Sequence, residues 1–266
     1  MKNTKTTTRA ESDRPEAKSA RGIQRGTLYA VVFGLLTHAV FAVSVLVMVF
    51  GLYSGLRSGH GHLHGWWAAL GNAMLIAQFP LVHSFLLSKR GRRILARLAP
   101  GKVGADLAPT TYVFTASLQL LATFELWSPS GITLFDPSGG VRWLSLALFV
   151  ASWIFLIKAL TDSGLALQTG YLGWSSVARG KRLDYGDFPQ HGLFKLIRHP
   201  VYLGFALVLW TAPIHTLDGV ILAALWTVYC VAGPLLKESR FHAWYGERYA
   251  RYRDAVPYML PWRKSR

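Results

Sequence analysis

Five stretches of this chain stay apolar for about 20 residues or longer, the length a helix needs to cross the hydrocarbon of a bilayer. They fall at about 27–54, 66–88, 110–128, 141–161 and 201–236. The first is too long for the core of a signal peptide and has no convincing cleavage site, so it reads as a genuine span. Of the 266 residues, 52% are hydrophobic and only 16% charged, where a soluble domain carries about 25% charged residues. The expected fold is all-α, a polytopic transmembrane helical bundle of five to six spans.

The span count turns on the last block, which is interrupted near "TAPIHTLDG", residues 211–219. Pro and Gly there leave two readings, one long kinked helix or a tight hairpin of two short spans. Basic residues decide between them. The segment before the first span carries seven Lys and Arg, the first loop only Arg57, the second loop six and the third loop, 129–140, none. By the positive-inside rule the N-terminus, second loop and fourth connection share the cytoplasmic side. A basic C-terminus on that side requires an even number of crossings, so the hairpin is expected, followed by a cytoplasmic C-terminal helix. Residues 1–26 read as a disordered basic tail, and 27–266 as a single domain.

The net charge of +16 follows this loop pattern. It suits contact with anionic membrane lipids and argues against nucleic acid as a partner. Cys230 is the only cysteine, so no disulfide framework or CxxC relay exists. No GxGxxG after a strand, P-loop, GxSxG or HExxH is present.

Chemistry-bearing residues gather toward the C-terminus. In "FKLIRHPVYLGF", residues 194–205, Pro200 suits the first position of a helix. Arg198 and His199 would then stand beside helix N-terminal N–H groups, a natural anion site, with Gly204 one turn on leaving room for close approach. The same residues also suit a snorkelling Arg and an interfacial His. Glu238 and Arg240 follow the hairpin, and opposite charges bracketing it suit a zwitterionic ligand. Trp244, Tyr249, Tyr252, Tyr258 and Trp262 suit an interfacial aromatic belt. Gln78, His83, Ser84, Gln119 and Glu125 are polar groups inside spans, which are functional candidates by default. His60, His62 and His64 alternate in a loop, but no Cys, Asp or Glu nearby completes a metal set; no metal is expected.

The segment "GLFKLIRHPVYLGF", then a hairpin, then "KESRFHAWYGERYARYRDAVPYMLP" resembles the integral-membrane methyltransferases. These include isoprenylcysteine carboxyl methyltransferase and the phospholipid methyltransferases. "LVHSFLLSKRGRRILARLAP" and "TYVFTASLQLLATFELWSPSG" are similar to the NnrU-like branch that holds bacterial methanethiol S-methyltransferases. The resemblance covers about residues 28–262. It implies S-adenosyl-L-methionine as methyl donor, held by segments 190–204 and 237–262 through Gly192, Arg198, His199, Tyr202, Gly204 and Glu238. It implies catalytic roles for Arg198, which favours a thiolate, His199, which takes its proton, and Glu238. Substrate contacts are expected from His83 and Gln168. Two departures stand out: Lys237 occupies the place of the first of a glutamate pair, and "QTGYLGWSS", residues 168–176, keeps only Gly173 of the family stretch. The implied activity is methyl transfer to a small thiol or another lipophilic acceptor in a bacterial inner membrane, both termini cytoplasmic. The alternatives are an NnrU-like accessory membrane protein and a sterol- or isoprenoid-reductase-like enzyme using NADPH.

Overall fold

The apolar blocks become helices because backbone polar groups inside hydrocarbon must be satisfied within their own segment. The computed structural model describes residues 13–99 and 103–262, with side chains from residue 26 onward. The helices are α1 (Asp13–Tyr53), α2 (Gly65–Leu86), α3 (Lys89–Leu98), α4 (Gly104–Glu125), α5 (Gly139–Asp162), α6 (Leu165–Gln168), α7 (Tyr171–Ala178), α8 (Pro200–Trp210), α9 (Leu217–Tyr245) and α10 (Glu247–Ala255). A 3-10 turn covers Gly192–Lys195, and two short strands, β1 (Thr133–Phe135) and β2 (His215–Thr216), complete the set. Of the tail expected over 1–26, residues 1–12 lie outside the described residues, and the backbone is helical from Asp13.

Among the described residues four helices are long and apolar enough to cross a membrane: Gly26–Tyr53 of α1, and all of α2, α5 and α9. The expected span at 110–128 corresponds to α4, which is not among them. Its composition explains this. Thr110, Thr111, Ser117, Gln119 and Thr123 are buried, because α4 sits between α1, α2, α3 and α7 rather than against lipid. These polar groups find partners inside the bundle. Gln119 Nε2 donates to Gln78 Oε1 at 2.7 Å, and Gln78 Nε2 donates to Thr123 Oγ1 at 2.9 Å. Asn72 and Ser128 exchange a second reciprocal pair, at 2.8 and 3.0 Å. Gln78 and Gln119 thus lock α2 to α4, as polar side chains do between membrane helices.

The interruption at 211–219 is a hairpin. α8 ends at Trp210 and a non-helical stretch leads through β2 into α9. β2 pairs antiparallel with β1, Thr133 opposite Thr216 and Phe135 opposite His215. The third loop and the hairpin tip therefore share one end of the bundle. Arg57 of the first loop joins them through Thr133 at 2.8 Å and Asp136 at 2.9 Å. His60 Nδ1 pairs with Glu125 at 2.8 Å, and among the described residues no group of three His, Cys, Asp or Glu gathers to hold a metal.

At ~1.5 Å per residue, α8 rises only about 16 Å, about half the roughly 31 Å of α9 between Leu217 and Glu238. The turn and bend at 211–214 and the strand β2 lie between them. His199, at the start of α8, comes level with Glu238, 2.8 Å from its carboxylate.

Candidate active site

Pro200 occupies the first turn of α8 and His199 is its N-cap, with φ −127° and ψ 52°. The N–H groups of Arg198 and His199 are taken by the C-terminal segment, at Pro257 O (2.9 Å) and Tyr258 O (3.2 Å). The Val256-Pro257 pair of the signature is thus a brace for the start of α8. These two N–H groups are not open to an anion.

Arg198 is 8% exposed and its fork is committed within the protein. Nε donates to Glu238 Oε1 at 2.7 Å, and Nη1 donates to Arg253 O and Val256 O, each at 2.6 Å. His199, 3% exposed, pairs through Nε2 with the same Glu238 Oε1 at 2.8 Å. A carboxylate only accepts, so Nε2 carries the proton and Nδ1 keeps its lone pair. Nδ1 is buried without a hydrogen-bond partner. Burial pulls His199 from 6.5 to about 4, against the opposing hydrogen bond from Glu238, so the ring is neutral at pH 7. Arg198, His199 and Glu238 form one hub joining α8, α9 and the segment after α10.

A narrow cleft opens beside this hub. Its walls include Phe188, Phe194, Phe241, Tyr249 and Tyr252, with Arg198, His199 and Lys237 as its charged or ionisable groups. Lys237 Nζ lies 5.3 Å from the Phe241 ring and 6.0 Å from the Phe194 ring. Among the described residues it makes no ion pair within 4 Å. The aromatic wall was not legible as such. Tyr249 is only 1% exposed and stacks edge-on to Phe188 at 5.3 Å, so it belongs to the cleft rather than to an interfacial belt. Trp244 and Trp262, 53% and 75% exposed, fit the belt. The spacing of Tyr249 and Tyr252, which puts them on one face of α10, was the available signal.

The remaining expected site residues disperse. Gly204 faces α5, where an added Cβ would stand 3.0 Å from Leu156 Cα; it permits helix contact rather than opening the cleft. Gly192, with φ +57°, packs against the Asp162 carboxylate, which accepts from Leu193 N at 2.8 Å. Tyr202 lies 6.0 Å from His199, ring to ring, but turns toward Gly233 and Tyr229 of α9. His83 pairs with Tyr112 at 2.5 Å, away from the cleft lining. Gln168 ends α6, half-buried, and is not part of the cleft lining.

Comparison with known proteins places this geometry in a family. Residues 100–255 match a family described as "Protein of unknown function (DUF1295)". The chain is 28% identical to "Methanethiol S-methyltransferase 1" of Bradyrhizobium diazoefficiens, over 89% of its own length and 80% of that protein. It is 31% identical to "Methanethiol S-methyltransferase" of Crocosphaera subtropica, over 70% and 72% of the two chains. It is also 25% identical to "Nurim homolog" of Drosophila melanogaster, over 59% and 64%. No solved structure matches the chain. The chain belongs to the DUF1295 family, in its membrane methyltransferase-like branch.

Proposed function

We propose that the protein transfers a methyl group from S-adenosyl-L-methionine to a small thiol, methanethiol being the acceptor its relatives' names point to. The observation that carries this reading is the convergence of Lys237, His199 and Arg198 on one cleft at one end of the bundle, with Glu238 paired to His199 behind it. The residues fit the amino-acid end of such a donor. Lys237 Nζ, without a protein carboxylate of its own, is the partner for the donor's carboxylate. His199 Nδ1 is an unpaired buried acceptor, and with the acidic Glu238 behind it suits the donor's ammonium. When bound, the donor supplies a sulfonium methyl that a nucleophile displaces in line.

The protein's part is to bind, orient and exclude water, where proximity contributes most. Arg198 acts from behind. Its three bonds to Glu238, Arg253 and Val256 hold the carboxylate and the C-terminal brace together. His199 stays neutral and so adds no positive charge beside a cationic sulfonium.

In this reading residues 27–266 act as one domain, with α8 and α4 completing six crossings and the cleft facing the cytoplasm of a bacterial inner membrane. Support comes from the basic second loop, fourth connection and C-terminus falling at the end opposite the β1–β2 pair. The test is titration of purified protein with S-adenosylhomocysteine and, separately, NADPH. S-adenosylhomocysteine is expected to bind, and Lys237→Met to weaken it at least tenfold. Binding of NADPH alone would refute the proposal.

A further inference from the structure

Resting on that donor site, a second cluster lies beside it and the cleft leaves it unused. His83 of α2 pairs through Nε2 with Tyr112 of α4 at 2.5 Å and stacks on Phe79 at 4.9 Å. Ser84 Oγ donates to Tyr229 of α9 at 3.3 Å. Tyr229 and Tyr202 of α8 meet over Gly233, where an added Cβ would stand 3.2 and 3.5 Å from their rings.

Two properties of this cluster point to a ligand. His83 Nδ1 is buried and has no hydrogen-bond partner, an uncommon condition for a polar atom inside a protein. Yet His83, Ser84, Tyr112, Tyr202 and Tyr229 are each only half-buried as residues, so the cluster is reachable from between the helices. Gln78 and Gln119, one helical turn or two deeper, pair with each other, with Gln119 Oε1 left over. Tyr202 links the His83 cluster to the donor cleft, with one edge toward His199 and the other toward Tyr229.

We propose that this cluster is the acceptor subsite, that it takes a small uncharged thiol arriving through the bilayer, and that His83 is its proton acceptor. Tyr112 is a positioning residue: taking the Nε2–H of His83 on its hydroxyl leaves the Nδ1 lone pair free. In the step, the thiol S–H bond breaks and its proton goes to Nδ1. The sulfur lone pair forms the new S–C bond, and the old C–S bond breaks with its electrons returning to the donor sulfur. The attacking S–H becomes strongly acidic as the S–C bond forms, so an imidazole suffices as base. The proton then passes to water.

The test compares wild type, His83→Gln and Tyr112→Phe in three measurements. S-adenosylhomocysteine affinity is expected to stay within twofold in both variants, showing an intact fold and donor site. Methyl transfer at pH 7 is expected to fall 10²- to 10³-fold in His83→Gln, the range a positioned base contributes. Its kcat/KM for the thiol should rise about tenfold per pH unit below the thiol's own pKa, because only preformed thiolate then reacts. Wild type should show a flatter profile, and Tyr112→Phe an intermediate loss with its profile shifted toward that of His83→Gln. Difference absorbance of the thiolate, read with ethanethiol and S-adenosylhomocysteine both present, gives an activity-free readout, with more thiolate in wild type than in His83→Gln. Wild-type turnover and a wild-type pH profile in His83→Gln would overturn the proposal while leaving the donor site standing. Failure of wild type to bind S-adenosylhomocysteine would overturn both.

Discussion

Replacing Glu238 by Gln tests whether the hub holds this end of the bundle together. Glu238 Oε1 accepts from Arg198 at 2.7 Å and from His199 at 2.8 Å, with side-chain exposures of 8% for Arg198 and 13% for Glu238. Gln keeps the shape and one acceptor oxygen but removes the negative charge. Arg198 would then be a buried cation held only by two carbonyls, those of Arg253 and Val256. Breaking a buried pair by removing one partner costs about 3–5 kcal/mol. The surviving carbonyl bonds put the expectation at the low end, about 3 kcal/mol, or roughly 6–12 °C in Tm for a chain of this size. Thermal unfolding in detergent reads this directly. A double-mutant cycle with Arg198→Met should show a coupling above about 1 kcal/mol, since the two residues touch. A Glu238→Gln variant with wild-type Tm and no coupling to Arg198 would refute the hub.

Stability should also fall in acid through His199. Its pKa is about 4 in the folded protein against 6.5 for the ordinary residue, so between those values the unfolded chain binds the extra proton. Stability is then complete above about pH 6.5 and declines by ~1.4 kcal/mol per pH unit down to pH 4. The Tm of His199→Gln measured from pH 7.5 to 4.5 should lack that part of the decline, and parallel curves would contradict the assignment. At Gly204, a valine Cβ would press on Leu156 backbone at 3.0 Å. Gly204→Val is expected to cost about 1–3 kcal/mol by overpacking, read as a lower Tm with unchanged donor affinity in the surviving folded fraction.

Much of the architecture was legible because a bilayer imposes simple rules. Long apolar blocks, the basic-loop alternation and Pro200 at a helix start each have one physical cause, and each reads directly from local sequence. The break between α8 and α9 was legible because Pro213, Asp218 and Gly219 interrupt the last apolar block. α4 was harder, since its threonines and Gln119 are polar by composition but buried by neighbours that only the fold supplies. The candidate site divides the same way. Arg198, His199 and Glu238 were found by their charge at a span boundary. That Arg198 is spent on Arg253 and Val256 was not legible, because those bonds bridge 55 and 58 residues. The packing of Gly204 was not legible for a related reason: one turn from Pro200 it shares a helix, but the face it presents meets α5. Lys237 looked like a defect in a glutamate pair, and the cleft gives it a place as the cation left without a partner.

The central claim is methyl transfer to a small thiol, and one measurement addresses it. Purified protein in lipid vesicles is incubated with methyl-labelled S-adenosyl-L-methionine and methanethiol, with phosphatidylethanolamine present as a competing acceptor, and the headspace is counted for labelled dimethyl sulfide. The account predicts a volatile labelled product whose formation requires both the protein and the thiol, and which disappears in Lys237→Met at low donor concentration. Label appearing only in lipid, or no label transferred by protein that binds S-adenosylhomocysteine, would contradict it.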